Sequence, residues 1–125
     1  MNVIVVVVAL LAGALGALLR YGTTRLFARL NDELPWAVLT VNTVGSFVGG
    51  LVLGLVTNDA AGADIQLIAV GGFAGGLTTF STFSVETVQL ALARRWGIVA
   101  ATVGANLALG IAAAVLGFAV AGGFS

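Results

Sequence analysis

Asn42 lies inside the apolar run VLTVNTVGSFVGG, and its carboxamide brings two N–H donors and an acceptor into a stretch that otherwise offers hydrocarbon. Asn42, Gly45, Ser46 and Gly49 fall at i, i+3, i+4 and i+7, one face of a helix. A second amide, Asn106, stands four residues from both Thr102 and Gly110, again on one face. The third and densest set is GGFAGGLTTFSTFSVE, Gly71 to Glu86, with four glycines, five hydroxyl side chains, three phenylalanines and one carboxylate. Polar groups at membrane depth are costly and usually face a partner or an interior path. Donors without a cationic side chain would attract an anion weakly. Phe80 and Phe83, three residues apart, add aromatic rings whose edges are positive. Ser81, Thr82 and Ser84 place hydroxyls beside them.

Each set also has a plainer reading. An asparagine in a span can serve a single interhelical hydrogen bond, worth about 0.6–2 kcal/mol. A glycine-rich helix can be a kinked packing helix, although that leaves the TTFST hydroxyls without a purpose. A Phe pair at i, i+3 can face lipid or core. Glu86 and Arg20 can form a buried ion pair, or Arg20 can reach from its helix to the interface.

Much chemistry is excluded by counting. The 125 residues contain no Cys and no His, and the five basic residues are all arginine. Disulfides, thiolate nucleophiles, Cys/His metal sites, His-based triads, P-loops and Schiff-base lysines are therefore absent. Nothing points to an enzyme. Net charge is zero with no basic block, so nucleic-acid binding has no electrostatic footprint.

The elements that must carry these groups follow from composition. The chain is 60% hydrophobic and only 8% charged, against roughly a quarter charged in a soluble domain. Four runs approach the ~20 apolar residues a membrane helix needs: residues 3–27, 36–56, 65–92 and 98–124. They form one domain over residues 1–125, joined by the short polar gaps ARLNDELP, TNDAAGAD and ARRWG, so neighbouring helices are expected to be antiparallel. LAGALGA offers small residues for signal cleavage, but no positive residue precedes the apolar run, which is also long for a signal peptide. Small residues recur at close-packing intervals: Ala9, Gly13 and Gly16; Gly45 and Gly49; Gly50 and Gly54; Gly110 and Gly117. Gly75-Gly76 followed by Thr78-Thr79 predicts a broken third helix. A break frees backbone groups where protein or a polar cavity receives them. Freed carbonyls suit a cation and freed amides an anion.

The stretches GALGALLRY, VNTVGSFVGG and GGFAGGLTTFSTFSVE together resemble the Fluc/CrcB family of fluoride channels, over essentially the whole chain. The resemblance implies a fluoride-selective channel that exports fluoride across the cell membrane and relieves its toxicity. The implied architecture is all-α: four transmembrane helices per subunit, the third broken, assembled as an antiparallel dual-topology dimer in the lipid bilayer with two pores. It implies a structural, untransported Na⁺ at the dimer centre, held by the main-chain carbonyls of Gly75 and Thr78. Asn42 would be the pore asparagine, and Phe80 and Phe83 the pore-lining phenylalanines. Ser81, Thr82 and Glu86 would be polar participants and Arg20 the vestibule arginine. The sequence departs from the family pattern at Val38, where a threonine is usual, and along Thr102, Asn106 and Gly110, where the polar track persists in altered form.

Two other readings compete. A four-helix dual-topology multidrug/proton antiporter needs a carboxylate in its first helix, and none lies between Val3 and Arg20. A non-transporting assembly subunit would share the composition. Charge bias bears on the partner. Arg25, Arg29, Arg94 and Arg95 flank the first and third turns, while the second turn carries Asp59 and Asp64. The positive-inside rule then places the first and third turns in the cytoplasm and both termini outside. A chain with one orientation pairs antiparallel with a homologous subunit of opposite bias more readily than with itself.

Overall fold

The computed structural model describes residues 2–29 and 34–125. Of the first expected turn, ARLNDELP, residues 30–33 lie outside the described residues.

Helix α1 spans Val3–Phe27 and starts on the Asn2 side chain, which accepts the Ile4 amide at 2.9 Å. Helix α2 spans Trp36–Thr57. The third membrane segment, Ala63–Leu92, is built in two pieces. Helix α3 covers residues 63–77, opening as Ala63–Gln66, widening to π-helical turns over Leu67–Ala74 and closing as Gly75–Leu77. Helix α4 spans Phe80–Leu92 and α5 spans Trp96–Val120. All four segments are long and apolar enough to cross a bilayer. The last helix stops short of the expected Phe124: Gly122, at φ +78°, turns the chain, and Phe124 folds back edge-on to Phe118, ring centroids 4.7 Å apart.

The segments associate as two close pairs. Helix α1 packs on α3, and α2 packs on α5. Glycine makes both possible. A Cβ on Gly76 would run into the Gly13 carbonyl oxygen, one on Gly72 into that of Ala9, and one on Gly16 into that of Phe73. Across the other pair, Gly50 meets the Ala114 carbonyl and Gly117 the Phe47 carbonyl. Backbone-to-backbone approach of this kind gains dispersion where lipid supplies no hydrophobic drive. Gly49 and Gly110 do not take part as their spacing suggested. Among the described residues, nothing lies within 4 Å of a Cβ on Gly49, and one on Gly110 would meet only the Ser46 hydroxyl oxygen, at 3.5 Å.

Helix α2 is the central element. Val38, Leu39, Val41 and Val52 are buried, joined by Ala74 and Leu77 of α3. The outer faces of α1 and α5 expose Leu10, Leu18, Ile111 and Leu116, as lipid-facing helices do. At the second turn Asn58 donates to the carbonyls of Ala121 and Gly122, at 3.0 and 2.8 Å, tying that turn to the end of α5.

Candidate functional site

The third segment unwinds at Thr78-Thr79, not at the glycines. Gly75 stays helical (φ −62°), while Thr78 and Thr79 are extended, at ψ 159° and 116°. β-Branched residues tolerate extended backbone well, and three local devices hold them there. The Thr78 hydroxyl and amide both donate to the Ala74 carbonyl, at 2.8 and 2.9 Å, finishing α3. The Thr79 hydroxyl accepts the Thr82 amide at 3.1 Å and so caps α4. The Thr79 amide donates to Asn42 Oδ1 at 2.8 Å, and Asn42 Nδ2 returns a bond to the Thr79 carbonyl at 3.2 Å. A reciprocal side-chain pair replaces the missing helical turn. Gly45, one turn along α2, leaves the room that the Thr78 methyl occupies.

The plainer reading of Asn42, an interhelical hydrogen bond, holds: Nδ2 reaches Asn106 Oδ1 at 3.3 Å and links α2 to α5. Asn106 is anchored in turn by donating to the Thr102 carbonyl at 2.8 Å and, more distantly, to its hydroxyl at 3.5 Å.

Around this junction lies an open groove of about 480 Å³ lined by Asn42, Ser46, Thr78, Thr79, Phe80, Phe83, Val103, Asn106 and Leu107. Among the described residues that line it, none carries a charge. The Phe80 and Phe83 rings stand 6.3 Å apart, tilted by 41°, and Phe80 is 80% exposed at the groove's open side. Ser81 reaches the edge of the junction, its hydroxyl 3.4 Å from that of Thr79. Thr102 does not line the groove. It is 1% exposed and sits behind Asn106 as its support.

Arg20, Thr82 and Glu86 gather elsewhere. They line a small cavity of about 70 Å³ with Thr24, Val38, Val41 and Thr79, so Thr79 is the wall the two spaces share. Arg20 Nε donates to the Gly76 carbonyl at 3.1 Å, taking up an acceptor the break releases. Arg20 and Glu86 form no ion pair among the described residues, and Glu86 Oε2 is buried without a hydrogen-bond partner. Val38, where a hydroxyl was expected by resemblance, is a buried wall of this cavity.

Among the described residues there is no cluster of acidic side chains that would hold a metal. Main-chain oxygen is a different matter. A continuing helix would place the Thr79 amide on the Gly75 carbonyl and the Thr82 amide on the Thr78 carbonyl, but those amides bond Asn42 and Thr79 side chains. The two carbonyls are released from the helical ladder as neutral hard ligands, a donor type that fits Na⁺.

Ser46 and Thr79 join the site although the sequence, which placed one on the Asn42 face and the other at the break, gave neither a role there. Ser46 shares the face of Asn42, and that spacing was the available signal. Thr79 precedes a helix by one residue, which is the cap position.

Four apolar helices, one interrupted where an uncharged polar groove opens, define a multi-pass membrane protein. A family described as CrcB-like protein, Camphor Resistance (CrcB), matches residues 7–118. The chain belongs to this family. It is 45% identical over 112 residues to fluoride-specific ion channel FluC 1 of Thermobifida fusca, covering 89% of this chain and 90% of that one. It is 40% identical over 119 residues to fluoride-specific ion channel FluC of Renibacterium salmoninarum, covering 89% and 94%. The namesake from Thermus thermophilus is 40% identical over 113 residues, covering 90% of each chain.

Proposed function

We propose that the chain is a subunit of a fluoride-selective channel that lets fluoride leave the cell across the cell membrane. It is a transporter rather than an enzyme. The observation that carries this reading is the uncharged groove at the helix break, where two carboxamides converge with two phenylalanine rings. Fluoride is small and strongly hydrated, so a pore must replace its water with donors, yet a fixed cation would hold the ion too tightly to release it. Asn42 and Asn106 hold protons in their longest bonds, 3.3 and 3.5 Å, which are the ones most readily exchanged for an anion. Ring edges of Phe80 and Phe83 supply positive potential without a charge. The names carried by the relatives support the choice of ion.

The groove is open on the side where Phe80 is exposed, which supports closure by a second subunit in an antiparallel dimer. In that assembly the released carbonyls of Gly75 and Thr78, two from each subunit, are our candidates for a structural Na⁺ site. Arg25 closes α1 and Arg94 turns the chain before α5, at the same end of the bundle, whereas Asp59 and Asp64 mark the opposite end. This asymmetry favours a partner subunit of opposite bias over a second copy.

Purified protein in liposomes, with any homologous subunit co-expressed, is the test. Rapid passive fluoride efflux with negligible chloride efflux is expected. Efflux that requires a proton gradient, or no fluoride efflux from assembled protein, would overturn the reading.

A further inference from the structure

We infer that the Ser46 hydroxyl is a donor in the ion path, standing where α5 offers only Gly110. This rests on the fluoride-channel reading above. Three observations carry it. Ser46 lines the groove beside Asn42 and Asn106, and it also lines a second space of about 460 Å³ that runs on along α2 and α5 past Gly49, Gly50 and Ala114 to Phe118. Among the described residues that line that second space, no side chain apart from Ser46 has a polar atom. Ser46 is therefore the last hydrogen-bonding side chain on the route leading from the amides toward Phe118.

The hydroxyl is also uncommitted. Thr23, Thr24, Thr57 and Thr87 each donate to the carbonyl four residues back, the usual fate of a hydroxyl on a helix. Ser46 makes no such bond among the described residues. By contrast both Asn42 Nδ2 protons and the Asn106 amide are engaged within the chain. An ion leaving the amides meets Ser46 as a donor that gives up no internal bond to receive it.

Finally, Gly110 faces it. A Cβ built on Gly110 would lie 3.5 Å from Ser46 Oγ, ordinary van der Waals contact. A hydroxyl borne by α5 at position 110 would occupy the same level of the groove. What counts is one hydroxyl at this level, whichever helix carries it.

The test is liposome efflux with four proteins, each co-expressed with any homologous subunit: wild type, Ser46→Ala, Ser46→Ala with Gly110→Ser, and Ser46→Ala with Gly110→Ala. Size-exclusion profiles establish assembly for each. Ser46→Ala is expected to lower fluoride efflux by on the order of tenfold, the worth of one hydrogen bond to a charged group. Gly110→Ser in that background restores most of it, and Gly110→Ala does not. A merely structural serine would leave Ser46→Ala near wild type, because alanine packs as well on a membrane helix face. Wild-type efflux from Ser46→Ala overturns the inference while leaving the channel reading intact. So does equal behaviour of the two double variants. Absence of efflux from wild type itself overturns the channel reading instead.

Discussion

Replacing Asn42 by Asp changes one NH₂ to one oxygen and almost no volume, so it separates charge from shape. The Thr79 amide keeps its acceptor, now a carboxylate oxygen, at the 2.8 Å position. The other oxygen replaces Nδ2 and faces two acceptors, the Thr79 carbonyl at 3.2 Å and Asn106 Oδ1 at 3.3 Å. Losing two bonds of about 0.6–2 kcal/mol each weakens the fold by a few kcal/mol at most, and the Asn106 side chain can rotate its own NH₂ toward the new carboxylate. The ion fares worse. A fluoride ion about 4 Å from that carboxylate is repelled by about 4 kcal/mol at an effective dielectric of 20, close to a thousandfold in occupancy. The expected result is assembled protein whose fluoride efflux falls to the leak of empty liposomes, with Asn42→Ala retaining more throughput than Asn42→Asp. Asn42→Asp protein that elutes like wild type and conducts within tenfold of it would refute the placement of Asn42 beside the ion.

Phe80→Ala and Phe83→Ala are expected to depress efflux far more than equally well-assembled alanine variants of Phe47 or Phe73, because among the described phenylalanines the first two line the groove. Equal conduction across all four would remove the ring-edge account. Gly76→Ala forces a methyl into the Gly13 carbonyl and should lower the thermal unfolding temperature in detergent, overpacking costing about 1–3 kcal/mol. Gly97→Ala, with no described residue within 4 Å of the added methyl, should hold or raise that temperature. C-terminal reporter fusions should find the C-terminus outside the cell in nearly every copy, and fluoride resistance should need a homologous subunit. Equal populations facing both sides, with resistance from this chain alone, would establish the homodimer.

The spans were readable because lipid leaves so few solutions: about 20 apolar residues and an internally satisfied backbone. The break was readable as a region but not as a residue. Gly75-Gly76 looked like its cause, yet these glycines remain helical and serve contact, Gly76 against Gly13 and its carbonyl for Arg20. Unwinding falls on Thr78-Thr79 because Asn42, 37 residues away, supplies the bonds that make it tolerable. No local propensity contains that partner. The π-helical turns of Leu67–Ala74 were invisible for a similar reason, since their sequence is ordinary apolar helix. Thr102 shows the limit of periodicity: spacing put it on the face of Asn106, but a side chain one turn below can be support as easily as lining.

The pairing of α1 with α3 and of α2 with α5 has a consequence for synthesis at the ribosome. Neither close pair is made of consecutive spans. When α1 and α2 have entered the bilayer, the surfaces of Gly13 and Gly16 and of Gly50 and Gly54 have no mate. The first mate appears only with α3, and the second only with α5, near the end of the chain. The nascent protein must therefore wait in lipid or at the insertion machinery with its small-residue stripes unspent, and a chain cut after Leu92 would hold α1 to α3 and Asn42 to Thr79 yet leave the Gly50 and Gly54 stripe of α2 without its mate. Quality control that senses such stripes would recognise the late-truncated product as unfinished although three of its spans are already in place.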